Sequence, residues 1–93
     1  MTRWHGSPRA IHTRTPRGGV VLDPVRKSYF VLNPSGEVLW SRLRAGASRD
    51  ELALALVEEF EVTEETAGAD ADIWLGEMLT LGLIEAVDVE APR

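Results

Sequence analysis

Apolar residues recur with the short period of strands up to Asn33, and with the longer period of helices from Pro34 onward. Residues 10–15 alternate apolar and polar side chains, include β-branched Ile11 and Thr13, and stop at Pro16, which predicts a short strand. Gly18–Asp23 is the second strand, closed by the Asp23-Pro24 turn signal. Ser28–Leu32 is the third, and it differs from the others. Tyr29 and Val31 share one of its faces, Phe30 and Leu32 share the other, and all four are apolar or aromatic. A strand with two apolar faces normally lies within a covered sheet. This chain has few elements available as cover, so one face can rest on its own helices while the other waits for a partner. Alternation alone does not say which face is core, although the position of Leu32 beside a helix start favours the Phe30/Leu32 face. The short loops predict two successive hairpins, hence an antiparallel meander.

Three helices are predicted after the meander. Asn33 is a good N-cap, and Pro34 suits the first helical position, where its missing N–H would be unpaired in any case. Gly36, Leu39, Trp40 and Leu43 then form one stripe, and Gly46 ends the helix. Ser48 and Glu51 have capping-box spacing at the head of a second helix with core residues Leu52, Ala55, Leu56 and Phe60. Residues 62–69 read as a connection, and the pattern does not fix where the third helix begins; Asp70 in its first turn would complement the helix dipole, and the helix runs on to Leu81. Ala71, Trp74, Leu75 and Met78 are the core stripe of that helix. Ile73 and Leu81 fall beside it and widen the apolar surface beyond what three short helices need. Gly82 stops the helix, and Leu83-Ile84 begin an extended exit.

Composition narrows the function classes. The 93 residues are 44% hydrophobic and 27% charged, as in an ordinary soluble domain. There is no cysteine, hence neither a disulfide framework nor a thiolate metal site. No apolar run is long enough for a membrane span or signal-peptide core, so a cytoplasmic location with no membrane partner is expected. The two imidazoles, His5 and His12, have no metal-ligand spacing; no G-x-S-x-G frame is present, and Gly18-Gly19 precedes a strand rather than a helix. Neighbouring carboxylates such as Glu58/Glu59 and Glu64/Glu65 read as solvated helix ends. A catalytic function, a cofactor and a metal are therefore all unexpected. Domain organisation reads as a flexible N-terminal tail at residues 1–9 with Trp4 as a single apolar anchor, a folded unit at 10–86, and a C-terminal tail at 87–93. Net charge is divided along the chain: residues 1–27 hold six basic residues against Asp23, and residues 28–93 hold four against fourteen carboxylates. The third helix carries Asp70, Asp72 and Glu77 and no base, which argues against a nucleic-acid partner.

One resemblance organises these features. Tyr29-Phe30-Val31-Leu32-Asn33, Trp40, Gly46, Ser48 with Leu52, Phe60-Glu61-Val62, Asp70, Trp74-Leu75, Met78 and Gly82-Leu83-Ile84 stand in an order and spacing that resembles the PqqD-like family, the RiPP recognition element, over residues 18–85. The resemblance implies an α+β, winged-helix-like fold in which a three-stranded antiparallel sheet is followed by a three-helix bundle. It further implies non-catalytic binding of the leader segment of a ribosomally synthesised precursor peptide by strand addition, and delivery to a leader peptidase or other maturation enzyme. Members of this size that stand alone are typical of lasso-peptide biosynthesis. Carried onto this chain, the peptide-binding elements are the third strand and third helix, with Arg26, Lys27, Ser28, Tyr29, Phe30, Val31, Leu32, Asp70, Ile73, Trp74, Glu77 and Leu81 as the candidate contacts. Met78 departs from the more usual Leu but conserves volume. Gly76 is unusual in mid-helix: it either lets a peptide backbone approach or weakens the helix by about 1 kcal/mol. Arg26 and Lys27 either meet leader carboxylates or solubilise the strand edge. The alternatives are a winged-helix DNA-binding regulator, and an interaction domain whose exposed edge pairs with its own copy as a weak homodimer.

Overall fold

The strand-then-helix order read from the sequence is the order of the fold, with one strand added at each end. The computed structural model describes residues 2–88. Its elements are β1 (Thr2–Gly6), β2 (Ile11–Thr15), β3 (Gly18–Asp23), β4 (Ser28–Leu32), α1 (Pro34–Arg42), a 3-10 turn (Leu43–Ala45), α2 (Arg49–Glu59), α3 (Glu64–Thr80) and β5 (Ile84–Asp88). The meander forms as expected, with strand order β2-β3-β4 and register Val20↔Val31 and Asp23↔Ser28 across β3 and β4. This leaves β4 at an edge of the three-stranded sheet. Val21 and Leu32 point inward to join Leu39, Leu52, Met78 and Leu83 in one core.

The N-terminal tail is corrected. Thr2–Gly6 is a strand paired antiparallel with β5, in register Trp4↔Ala86 and Gly6↔Ile84. Trp4 is more than an anchor: it packs against the core, its N–H donates to the Ala47 carbonyl at 2.7 Å, and the Ala47 N–H returns a bond at 3.0 Å. The ribbon is thus tied to the α1–α2 link. Val87 and Asp88, expected in a C-terminal tail, belong to β5, whereas residues 89–93 of that expected tail, like Met1, lie outside the described residues.

Helix ends follow their caps. The Asn33 side chain accepts the Gly36 N–H at 2.8 Å, and Ser48 and Glu51 complete the capping box. The start of α3, left open by the pattern, is set by Thr63, whose side chain accepts the Thr66 N–H at 3.1 Å; six helical residues precede Asp70, which therefore does not lie in the first turn. The segment expected to be a connection is helical because Ala67 and Gly68, both buried, let it lie close to α2. Gly68 lies under the Arg49 guanidinium, which bonds both Asp72 carboxylate oxygens at 2.8 and 3.0 Å. At its other end α3 closes with a Schellman motif: the Leu83 N–H reaches the Met78 carbonyl and the Gly82 N–H the Leu79 carbonyl, with Gly82 at φ 71°.

The turn that aims β4 is organised by one buried carboxylate. Asp23 Oδ1 accepts the Val25 and Arg26 N–H groups at 2.9 and 3.1 Å, Oδ2 meets Arg9 at 3.5 Å, and the Asp23 carbonyl accepts the Lys27 N–H. The bond from the Arg26 N–H, aided by those from Val25 and Arg9, holds this carboxyl below its ordinary pKa against the opposing pull of burial. Folding therefore makes Asp23 harder to protonate. Its stabilising contribution is complete above the unfolded value, about 3.9, and is lost as pH falls through the lower folded value. Acid-dependent thermal melts are expected to show Tm falling below about pH 4. Asp23→Asn should be less stable at neutral pH and titrate with a shallower acid slope, the remainder coming from Glu51 and Asp72, which are shifted the same way by Ser48 and Arg49. An unchanged slope would show that the turn does not depend on this charge.

Candidate functional site

The period of two in β4 sorts its side chains. Leu32 is 1% exposed and Phe30 packs against the core, whereas Tyr29 and Val31 are 66% and 65% exposed. The Phe30/Leu32 face is the core face. Helix α3 packs on α2 and β5 rather than directly on β4, and the two elements face each other across a groove of about 320 Å³. Phe30 and Val31 form one wall; Asp70, Ile73, Trp74 and Glu77 form the other. These four recur at i, i+3, i+4 and i+7, a single line along the helix. Ile73 is 61% exposed, an apolar side chain on the rim with no internal partner, whereas Trp74 is 8% exposed and is shared between groove and core. The Trp74 indole Nε1–H is buried without an acceptor among the described residues.

The ends of the groove differ. At the Ser28 end strand and helix touch: the Ser28 hydroxyl donates to the Leu81 carbonyl at 2.9 Å, and the Arg26 guanidinium lies over Gly82, where any side chain would collide with it. Arg26 therefore covers the C-terminus of α3, a favourable place for a cation. Lys27 is exposed in the turn with φ 59°, a left-handed backbone that costs an L-residue about 1–2 kcal/mol. At the Leu32 end the groove runs on over Pro34, Phe60 and Val62. Toward the C-terminus of α3 the outer surface continues through Gly76, Thr80 and Leu81, and a Cβ on Gly76 would meet open space.

Of the residues singled out in the sequence, the groove brings together Phe30, Val31, Asp70, Ile73, Trp74 and Glu77, with Arg26, Ser28 and Leu81 at its closed end. Three are placed elsewhere. The Leu32 side chain is core, so only its backbone faces outward; Tyr29 is exposed on the same face as Val31 but is outside the groove lining; and Lys27 stays in the turn. Sequence reasoning missed Asn33, Ser35, Leu39 and Leu56, which also line the groove. Asn33 and Ser35 carry a capping signal, and their side chains bond one another at 2.9 Å. Leu39 and Leu56 lie on core stripes, and nothing in periodicity separates a core residue from a groove floor. His12 Nε2 lies 2.5 Å from Glu37 Oε1, away from the groove, and no cluster of three metal-ligating side chains occurs among the described residues. No helix among the described residues is long and apolar enough to cross a membrane.

Comparisons with known proteins identify similar folds. A solved structure of lasso peptide synthetase B1 complexed with the leader peptide is 26% identical, with a TM-score of 0.76, covering 88% of this chain and 96% of the other. TbiB1 in complex with the TbiA(beta) leader peptide is 25% identical, with a TM-score of 0.78, covering 87% and 94%. No curated protein matches. The family profile described as coenzyme PQQ synthesis protein D (PqqD) matches residues 18–84, which takes in β3 and β4 of the meander, all three helices and both walls of the groove, and the chain belongs to that family.

Proposed function

We propose that this protein binds the leader segment of a ribosomally synthesised precursor peptide, which adds as a strand to the free edge of β4 and lies in the groove against α3. The observation that carries this reading is the contrast between the sheet's two edges. The β2 edge carries His12 and Arg14 and is followed by Pro16, devices that discourage pairing, whereas Ser28–Leu32 carries neither charge nor proline. An unprotected edge beside an apolar groove is the geometry of strand addition, in which backbone bonds supply affinity and alternate side chains supply register. Both similar solved structures are complexes with leader peptides. The reading includes a non-catalytic role in the cytoplasm, where the bound leader is handed to a leader peptidase or other maturation enzyme of the lasso-peptide type. The acidic helix wall disfavours nucleic acid, because Asp70 and Glu77 would face phosphates. Pairing of β4 with a second copy would use the same edge and compete with the peptide.

Two measurements test the proposal. Titration of isotope-labelled protein with leader segments of candidate precursors should move the amides of Ser28–Leu32 and α3 most; shifts confined to the β1–β5 ribbon would sink it. Ile73→Glu should weaken leader binding by about 1–3 kcal/mol while leaving the melt unchanged, since it places a third carboxylate on an exposed apolar site. Leu52→Ala, a wholly buried site away from the groove lining, should instead cost about 2–5 kcal/mol of stability and affect binding only through the folded fraction. The reverse pattern would place the groove on another surface.

A further inference from the structure

The carboxylates of α3 divide by what they do for the fold. Glu64 and Glu65 occupy the first turn, where they complement the helix dipole. Asp72 is held by Arg49 in a two-bond pair. Asp70 and Glu77 have neither role. The early start of α3 removes Asp70 from the first turn, and no ion pair engages either side chain among the described residues. Both are exposed, both line the groove, and they bracket Ile73 and Trp74 along one line of the helix. The facing strand carries no charge. A second, independent feature asks for a ligand at the same place. Trp74 is more than nine-tenths buried, lines the groove, and leaves its Nε1–H without an acceptor among the described residues.

Resting on the strand-addition reading, we propose that the segment bound here is basic: its groove-facing positions read cation–apolar–cation, with the cations on Asp70 and Glu77 and the apolar side chain on Ile73 and Trp74. The spacing follows from the two periods. Seven residues of helix separate the carboxylates by about 10.5 Å along the axis. Strand residues facing the same way recur about every 6.7 Å, so a central apolar residue flanked by cations places those cations about 13 Å apart. Lysine and arginine side chains are long and flexible enough to converge over the difference. The bound stretch is therefore Lys/Arg-x-apolar-x-Lys/Arg, and acidic residues at the outer two positions are rejected by like charge.

Selection of displayed peptides of roughly twelve randomised residues, long enough to span a strand-addition site, tests this against the full chain and against an Asp70→Asn/Glu77→Gln double variant. Wild-type binders should shift the β4 amides, show Lys or Arg four residues apart around an apolar residue, and weaken with salt. The double variant should melt at the wild-type temperature and bind those same peptides about five- to ten-fold more weakly. Binders that shift β4 but show no basic enrichment, or bind the double variant equally well, overturn the charge inference and leave strand addition standing. Binders that leave β4 unmoved, or recovery of no binder at all, overturn both.

Discussion

The groove depends on α3 being pinned to β4 at one end and held away from it at the other. The pin is the Ser28–Leu81 hydrogen bond together with Arg26 lying over Gly82. The separation is maintained by Leu39 and Leu56, whose buried side chains reach the groove floor, and by the Trp74 indole on the helix wall. Because interiors are close-packed, α3 cannot move toward β4 without displacing side chains that also support α1 and α2. The gap is thus a consequence of core packing, and it leaves Ile73 exposed at a loss of about 1.5–3 kcal/mol relative to full burial. That loss is a sizeable share of the stability of a domain this small. The remaining core, from Val21 and Leu32 through Leu52 to Met78 and Leu83, has to offset it.

An unprotected strand edge is a second liability, and the chain confines it. In the ribbon, β1 and β5 pair with each other, β1 bonds on to Ala47, and β5 carries Glu85. In the meander, β2 carries Arg14 and a half-buried His12 joined to Glu37. The edge without such a device is β4, and it faces the groove. Placing the unguarded edge beside the unfilled apolar gap lets one extended ligand satisfy both, giving backbone groups a partner and Ile73 a cover. Asp23 fixes this juxtaposition from the strand side by setting the turn from which β4 departs.

Legibility in the sequence tracked how local each determinant is. The three meander strands, the Asn33 cap, the Ser48/Glu51 capping box and the Gly82 stop are set by neighbouring residues, and they stand where the pattern puts them. The start of α3 was hidden because the residues that pack there are Ala67 and Gly68: close approach to α2 demands small side chains, which carry no hydrophobic periodicity. The β1–β5 ribbon was hidden for a different reason. Its partners lie at opposite ends of the chain, with no turn between them to announce a hairpin, and Trp4 is the one large apolar residue in β1. At the groove, the helix wall was visible as surplus apolar residues beside a core stripe. Leu39 and Leu56 were not, because a groove floor and a core interior present the same period.

The architecture alone leaves the ligand undecided, because winged-helix-like folds also serve nucleic acids and fold does not fix function. Charge placement favours a peptide. A duplex reader needs cations on the helix it presents, since phosphate neutralisation supplies most of the affinity. Here the basic residues cluster in the N-terminal part of the chain, where Arg3 pairs with Glu51, Arg9 with Asp23 and Arg14 with Glu37, so several are already engaged within the fold. The helix that faces the groove instead presents Asp70 and Glu77 without an ion-pair partner among the described residues, above an apolar floor and opposite an uncharged strand. A polyanion would meet repulsion along the whole groove, whereas an extended peptide meets backbone donors and acceptors on one wall and an apolar stripe flanked by carboxylates on the other. On the proposed reading, these two carboxylates are what turns a shared topology toward peptides and away from polyanions.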